Sequence, residues 1–158
     1  MHILGISCFY HDAAAAIVRD GELVAAAEEE RFSRRKHDFG WPANAIGYCL
    51  REAGMTINDV DHIVFYEKPI LKFERILSCY ISTWPMSYVA FLKALPLWLK
   101  ERLWLKDFIQ KRLSTDRGIL FAEHHMSHAA SAFLVSPFDE ATILTLDGVG
   151  EWTTTTMG

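Results

Sequence analysis

Hydrophobic and polar positions alternate, recur at helical spacing, or break off in charged runs, and these three patterns divide the chain. Residues 3–8, Ile-Leu-Gly-Ile-Ser-Cys, predict a first strand, and Phe9-Tyr10-His11-Asp12 a turn. Residues 13–19 begin with four alanines and predict a second strand; residues 22–28 predict a third. Asp20-Gly21 between them is a two-residue hairpin signal, because both positions of such a turn need positive φ. The result is a three-stranded antiparallel meander. Glu28 to Asp38 is a charged stretch, expected as a solvated loop or a short turn of helix. Ile46, Cys49, Leu50 and Ala53 then recur at helical spacing, with Pro42 placed for the first helical position and Gly54 for the stop. Residues 62–66 predict another strand.

Residues 70–113 change character. Trp84, Trp98 and Trp104 stand among many leucines, interrupted by Pro85 and Pro96, and Leu95, Leu99 and Leu103 mark amphipathic helices. This is a helical insertion, expected to act as a lid or packing arm. A short strand at 118–121 leads into an Ala-rich helix that begins near His124. Residues 142–147 are a new strand, Gly148-Val149-Gly150-Glu151 a tight turn, and the four threonines 153–156 a β-branched return.

Composition narrows the function. Of the 158 residues, 51% are hydrophobic and 23% charged, as in a globular chain. The net charge of −4 argues against binding a nucleic-acid backbone, which needs a dense basic face. Cys8, Cys49 and Cys79 are odd in number and far apart. They fit a reducing compartment and small buried roles. Met1-His2-Ile3-Leu4 lacks the basic start and long apolar core of a secretory leader, so a cytoplasmic location is expected. Ile76 to Leu92 carries no charge, but it is at the short limit for a bilayer and holds four Ser/Thr residues and Pro85, so no membrane partner is expected.

The candidate chemistry lies at Glu123-His124-His125-Met126-Ser127-His128. Residues four apart share a helical face, so His124 and His128 can aim two imidazoles at one divalent metal. His125 is three residues from His128, so spacing alone leaves open which of the first two is the ligand. Such a site also wants a carboxylate or third nitrogen that local sequence does not identify. Residues 3–18 and 142–157 echo one another: an apolar strand, a turn with an acidic residue, then a strand of small or β-branched residues. The acidic residues are Asp12 in the first unit and Asp147 and Glu151 in the second. Gly148 and Gly150 would let backbone N–H groups approach a phosphate; the competing reading is an ordinary hairpin.

Four blocks carry a resemblance: Tyr10-His11-Asp12-Ala13-Ala14-Ala15; Glu29-Glu30-Arg31-Phe32-Ser33-Arg34 with Lys36-His37-Asp38; Glu123 to Ala132; and Leu146-Asp147-Gly148-Val149-Gly150-Glu151-Trp152. In this order they resemble the nodulation-protein-type O-carbamoyltransferases over essentially the whole chain. The resemblance implies an α/β fold, the ribonuclease-H-like lobe of the actin and sugar-kinase superfamily. Residues 1–137 would be the first lobe with its helical insertion, and residues 138–158 the opening hairpin of a truncated second lobe. It implies transfer of a carbamoyl group from carbamoyl phosphate, by way of carbamoyl adenylate made from ATP in a C-terminal domain, to a hydroxyl of a small molecule.

The same resemblance implies a divalent metal, iron above all, on His124 and His128, with His125 packing or supporting. It implies a catalytic His11, with Asp12 orienting it, binding metal or merely capping its turn, and a phosphate loop at Gly148, Val149, Gly150 and Glu151. Arg34 and Lys36 are expected as solvated loop residues. The family's proteins are several times longer, so the chain is expected to be an N-terminal piece, inactive alone, its carboxylate ligand and adenylate-forming domain lying elsewhere. Exposed edges on the last hairpin would favour pairing with a second copy, or else leave the hairpin poorly ordered. Two alternatives share the fold: a tRNA threonylcarbamoyl-transfer protein with the same His-x-x-x-His pair, and a non-catalytic nucleotide- or metal-binding module. The Trp-rich insertion and the His11-Asp12 block argue against the first.

Overall fold

The computed structural model describes every residue except His11 and Glu101, and the side chains of all but these and Leu97, Lys100 and Arg102. It comprises two compact units, Met1–Tyr66 with Ile109–Phe121, and Glu67–Phe108 with Ala122–Gly158.

The first unit is a mixed α/β layer. β1 (His2–Ser7), β2 (Ala14–Arg19) and β3 (Glu22–Glu28) form the expected antiparallel meander. Asp20 and Gly21 turn the β2–β3 hairpin with φ of 50° and 90°. Positive φ at both positions matches the twist of the flanking strands. β4 (His62–Phe65) pairs parallel to β1, and β5 (Ile119–Phe121) parallel to β4, giving the order β3-β2-β1-β4-β5. Leu4, Ile6, Ile17, Ile63 and Phe65 are buried in this sheet's core.

α1 (Glu30–Ser33) is a single turn, and α2 (Ala43–Glu52) packs across β2 and β3. The alanine run is the reason it can. With Ala15 and Ala25 as the buried strand side chains, the helix comes close enough for the Cys49 thiol to donate to the Ala15 carbonyl at 3.4 Å. Gly54 follows the helix with φ of 64°, the left-handed stop its position predicts. Pro42 sits at the N-cap, one residue before the expected place, and offers no side-chain cap.

The missing cap comes from Glu29. This residue belongs to the stretch expected to be solvated, yet only 4% of it is exposed. Its carboxylate accepts from the Asn44 N–H at 3.3 Å, the Asn44 side-chain amide at 2.6 Å and the Ala45 N–H at 2.8 Å. Those are orphan donors of a helix start, and a negative charge is favourable there. So the EER block serves the fold through its first glutamate.

In the second unit, α3 (Pro69–Ser82) and α4 (Tyr88–Lys100) form the expected helical insertion, and α5 (Leu105–Leu113) follows in sequence. Phe73 packs on Trp98 with ring centroids 5.7 Å apart, and Tyr80 on Phe91 at 5.6 Å. Pro85 lies between the two helices, but Pro96 lies inside α4 and does not end it. Proline removes one backbone donor, and the aromatic packing on either side carries the helix through. Cys8 and Cys49 are buried as expected, whereas Cys79 is exposed on α3. Among the described residues no helix is long and apolar enough to cross a membrane. α6 (His124–Phe133) precedes a two-stranded ladder, β6 (Leu144–Leu146) and β7 (Thr155–Met157). β7 is shorter than the threonine run, because the Asp147 N–H already bonds the Thr154 carbonyl and closes the turn there.

Two outcomes follow for the first unit. Glu29→Ala should lower stability by about 2 kcal/mol, with Glu29→Gln between it and the native chain, as read from urea unfolding. Equal midpoints for all three would remove Glu29 as the cap of α2. Asp59 is held below the ordinary carboxylate range by the Thr56 N–H and then the Thr56 hydroxyl. A depressed folded pKa contributes stability above the unfolded value, about 3.9, and that stability is lost as pH falls through the lower folded value. Asp59→Asn should flatten this acid-side dependence, measured as unfolding midpoint against pH.

Candidate metal centre

Helix α6 starts because Glu123, in extended geometry, caps a run of small, helix-favouring residues; the Ser127 N–H makes an early bond to the Glu123 carbonyl at 2.8 Å. The i, i+4 spacing then stacks His124 and His128 one turn apart, as predicted. Their Nε2 atoms lie 3.1 Å apart, with the rings edge to face. Two facing ring nitrogens cannot both carry a proton at that distance, so at least one presents a lone pair.

The third group is Asp147, at the end of β6. Its Oδ2 lies 2.6 Å from His124 Nε2 and 4.0 Å from His128 Nε2. One ligand atom from each of these residues falls within 4.8 Å of the other two. Burial pushes the Asp147 carboxyl upward, but the Val149 and Gly150 N–H groups and His124 outweigh it and leave the pKa below its usual value. The group is therefore ionised when the histidines are neutral. Two imidazoles and one carboxylate are a donor set that suits a divalent transition metal. Donors about 2.1 Å from one ion sit about 3.0 Å apart at right angles, close to the observed 3.1 Å between nitrogens. The donor types fit such an ion, and the 2.6 and 4.0 Å separations of Asp147 from the two nitrogens would even out around it.

Behind the donors lies a buried charge pair. Lys72 Nζ donates to Glu67 Oε2 at 2.6 Å, and the same oxygen is 3.9 Å from His124 Nδ1. At that distance the carboxylate lies behind the imidazole without a hydrogen bond to it. His125 does not join the donors; its Nδ1 lies 3.1 Å from the hydroxyls of both Thr145 and Thr156. A cavity of about 230 Å³ opens beside His124, bordered by Glu123, Trp152 and Thr153. That is below the roughly 300–1,000 Å³ of drug-sized sites, so it suits a small group.

The turn 148–151 is built inward. The Gly150 N–H donates to Asp147 Oδ2 at 2.9 Å and the Val149 N–H to Oδ1 at 3.4 Å. Gly150 has φ of 59°, and a Cβ there would meet the Thr153 carbonyl oxygen at 2.0 Å, so only glycine fits. The Val149 carbonyl accepts from Arg75, and the buried Glu151 carboxylate accepts from the Lys68 N–H. Lys68 Nζ in turn pairs with Glu123 at 2.8 Å, which holds the Glu123 carboxyl below its usual pKa.

Of the other expected site residues, His11 lies outside the described residues. Asp12 has φ of 51° and pairs with His37 Nδ1 at 2.9 Å, while Glu30 accepts the His37 N–H at 3.0 Å. Asp12, Glu30 and His37 form a second group of close ligand atoms, within the first unit. Asp147 and Glu67 are the members the sequence reading did not assign. Asp147 carried one signal, a carboxylate at a strand end followed by glycine; Glu67 carried none.

Comparison with known proteins accounts for these blocks. A family profile described as Carbamoyltransferase N-terminus matches residues 2–157. An uncharacterized protein of Synechocystis sp. is 53% identical over 99% of the chain, and the nodulation protein NolNO of Sinorhizobium fredii is 39% identical over 91%. An uncharacterized protein of Methanocaldococcus jannaschii is 28% identical over 94%. The chain spans 27%, 20% and 22% of the length of these three relatives. A match that runs from the first strand to the last, through the His124–His128 helix and the Asp147 turn, assigns the chain to its family: it belongs to the carbamoyltransferase N-terminus family.

Proposed function

We propose that the chain is the N-terminal part of an O-carbamoyltransferase, whose donor is carbamoyl phosphate, activated with ATP as carbamoyl adenylate, and whose acceptor is a hydroxyl of a small molecule. The convergence of His124, His128 and Asp147 carries this reading. It gives a family of carbamoyl-transfer proteins a donor set for a divalent cation, iron by the resemblance stated above. Bound there, such a cation would act as a Lewis acid toward a carbamoyl carbonyl.

The chain's own groups have separate parts in this reading. In transfer, the acceptor oxygen bonds to the carbamoyl carbon, AMP leaves with the electron pair, and the hydroxyl proton passes to a base. By the resemblance that base is His11, with Asp12 beside it. Asp12 pairs with His37 in the structure, so the loop that carries it is tied down before substrate arrives. Glu67, paired with Lys72, lies 3.9 Å behind His124. The Gly148–Glu151 turn works as a phosphate loop if the Val149 and Gly150 N–H groups exchange Asp147 for a phosphate oxygen, which also releases that carboxylate to a cation.

The strand order β3-β2-β1-β4-β5 supports placing the first lobe in the ribonuclease-H-like group of the actin and sugar-kinase superfamily, with residues 138–158 opening a second lobe. Lobes in this sense reflect descent; the compact units reflect which residues pack together. Adenylate formation belongs, in this proposal, to a further domain of a longer cytoplasmic protein, and residues 1–158 do not turn over by themselves. Leu144, Leu146 and Met157 are exposed on the β6–β7 ladder, so further strands or a second copy of the chain would cover them.

The decisive experiment offers the longer protein ATP, carbamoyl phosphate and a panel of hydroxyl compounds, and follows carbamoylated product and bound metal together. His124→Ala and His128→Ala should each remove the metal and lower transfer at least about 100-fold. Asp147→Ala should weaken binding as well, and affinity should rise with pH as the imidazoles lose their protons. Unchanged metal content in both histidine variants would end the metal reading; no carbamoylated product with any hydroxyl would end the transferase reading. The 158-residue chain alone should self-associate with rising concentration in sedimentation, and Leu146→Lys should abolish this. A strict monomer at all concentrations would remove pairing through the ladder.

A further inference from the structure

His125 sits between the two ligand-helix histidines in sequence but faces elsewhere. Successive helical residues are about 100° apart, so α6 shows the donor cluster on one side and His125 on the next. Its Nδ1 lies 3.1 Å from Thr145 Oγ1 on β6, 3.1 Å from Thr156 Oγ1 on β7 and 3.5 Å from Thr153 Oγ1 in the turn. Thr145 and Thr156 are partners in the ladder, and their hydroxyls also bond each other. One ring nitrogen thus gathers hydroxyls from both strands. Its Nε2 is buried with no hydrogen-bond partner among the described residues and faces the Gly150 backbone, where an added Cβ would stand 3.5 Å away.

The turn of the hairpin is held by Asp147 on His124, Arg75 on the Val149 carbonyl and the Lys68 N–H on Glu151, but its ladder has little besides His125. Each strand has three residues, and Leu144, Leu146 and Met157 on the ladder are exposed. A two-stranded hairpin is marginal in water. Thr145 is its buried residue, and it meets His125. Asp147 is two residues on, at the end of the same strand. We propose that His125 is a positioning residue for the metal centre: it clamps both strands of the hairpin onto α6 and so sets the Asp147 carboxylate against His124. An apolar side chain at 125 would fill the space but leave the threonine hydroxyls without a nitrogen to bond. The inference rests on the reading of His124, His128 and Asp147 as a metal site.

The test titrates the full chain with Co²⁺, following affinity and the visible absorption of the bound ion. His125→Ala should weaken binding about 10–100-fold and shift the spectrum toward that of Asp147→Ala. Thr145→Val should do the same in a chain that keeps His125. His125→Asn places a polar atom where Nδ1 stands and should restore most of the affinity; His125→Gln, which reaches the Nε2 position, should not. In an Asp147→Ala background, His125→Ala should cost nothing further. Far-UV circular dichroism of the metal-free variants checks that each folds. Native affinity in both His125→Ala and Thr145→Val overturns the proposal. So does a full additional loss in the Asp147→Ala background, which would make His125 a ligand, or rescue by Gln rather than Asn. If the native chain and His124→Ala bind Co²⁺ alike, the metal reading itself has failed, and the clamp falls with it.

Discussion

Two imidazole nitrogens 3.1 Å apart, with a carboxylate oxygen 2.6 Å from one of them, set the terms for the second unit. Polar groups this crowded cost free energy unless a proton or a cation lies between them. Asp147 does not relieve the crowding by becoming neutral, because Val149, Gly150 and His124 hold it ionised against burial. Glu67 does not relieve it either, since Lys72 compensates that carboxylate at 2.6 Å. The arrangement is thus a charged, partly buried centre kept assembled by groups that are themselves satisfied. A divalent ion would replace a shared proton with a bond to every donor. For that reason the proposed function is attached to the donor set, rather than to the helix or the hairpin alone.

The first unit answers a different demand, that of bringing a helix down onto a sheet. Alanines at 13–16 and 25–27 leave room for α2, and the shared contact is so close that a thiol reaches a strand carbonyl. The start of the helix, where Ala43 and Asn44 are exposed and Ala45 is buried, still has N–H groups with no acceptor within the helix. Pro42 cannot supply one, and Glu29 does, from the end of the β3 segment. Small residues and the buried glutamate therefore serve the same helix: the first let it approach the sheet, and the second supplies acceptors for its first turn.

Local patterns were legible in the sequence, and long-range pairings were not. The meander, the Asp20-Gly21 turn, the Gly54 stop and the His124–His128 face depend on neighbours within a few residues, and each stands where its pattern puts it. Glu29 acts on amides 15 and 16 residues away, and Asp147 meets a histidine from another element. A run of Glu and Arg looks solvated until the fold buries one member. Pro96 misled in the other direction: the local cost of proline in a helix is real, but aromatic packing between α3 and α4 exceeds it. The glycines of the 148–151 turn were legible as a place for close approach. What approaches in the structure is the chain's own carboxylate, and periodicity has no way to distinguish that from a phosphate.

The threonine run shows how one composition can satisfy two constraints. As β-branched residues, Thr153 to Thr156 favour an extended return strand. Valines would serve that purpose equally. They could not face His125, whose Nδ1 needs a hydrogen-bond partner in a site away from solvent. Threonine keeps the strand shape and adds the hydroxyl, so the hairpin and the imidazole satisfy each other. The arrangement leaves Nε2 without a partner among the described residues, and an unpaired buried polar atom costs about 1–3 kcal/mol. A leucine at 125 with valines opposite would avoid that cost and lose the directional bonds. Retaining histidine and threonine makes sense where the angle of the hairpin matters more than its stability, and the residue whose placement depends on that angle is Asp147.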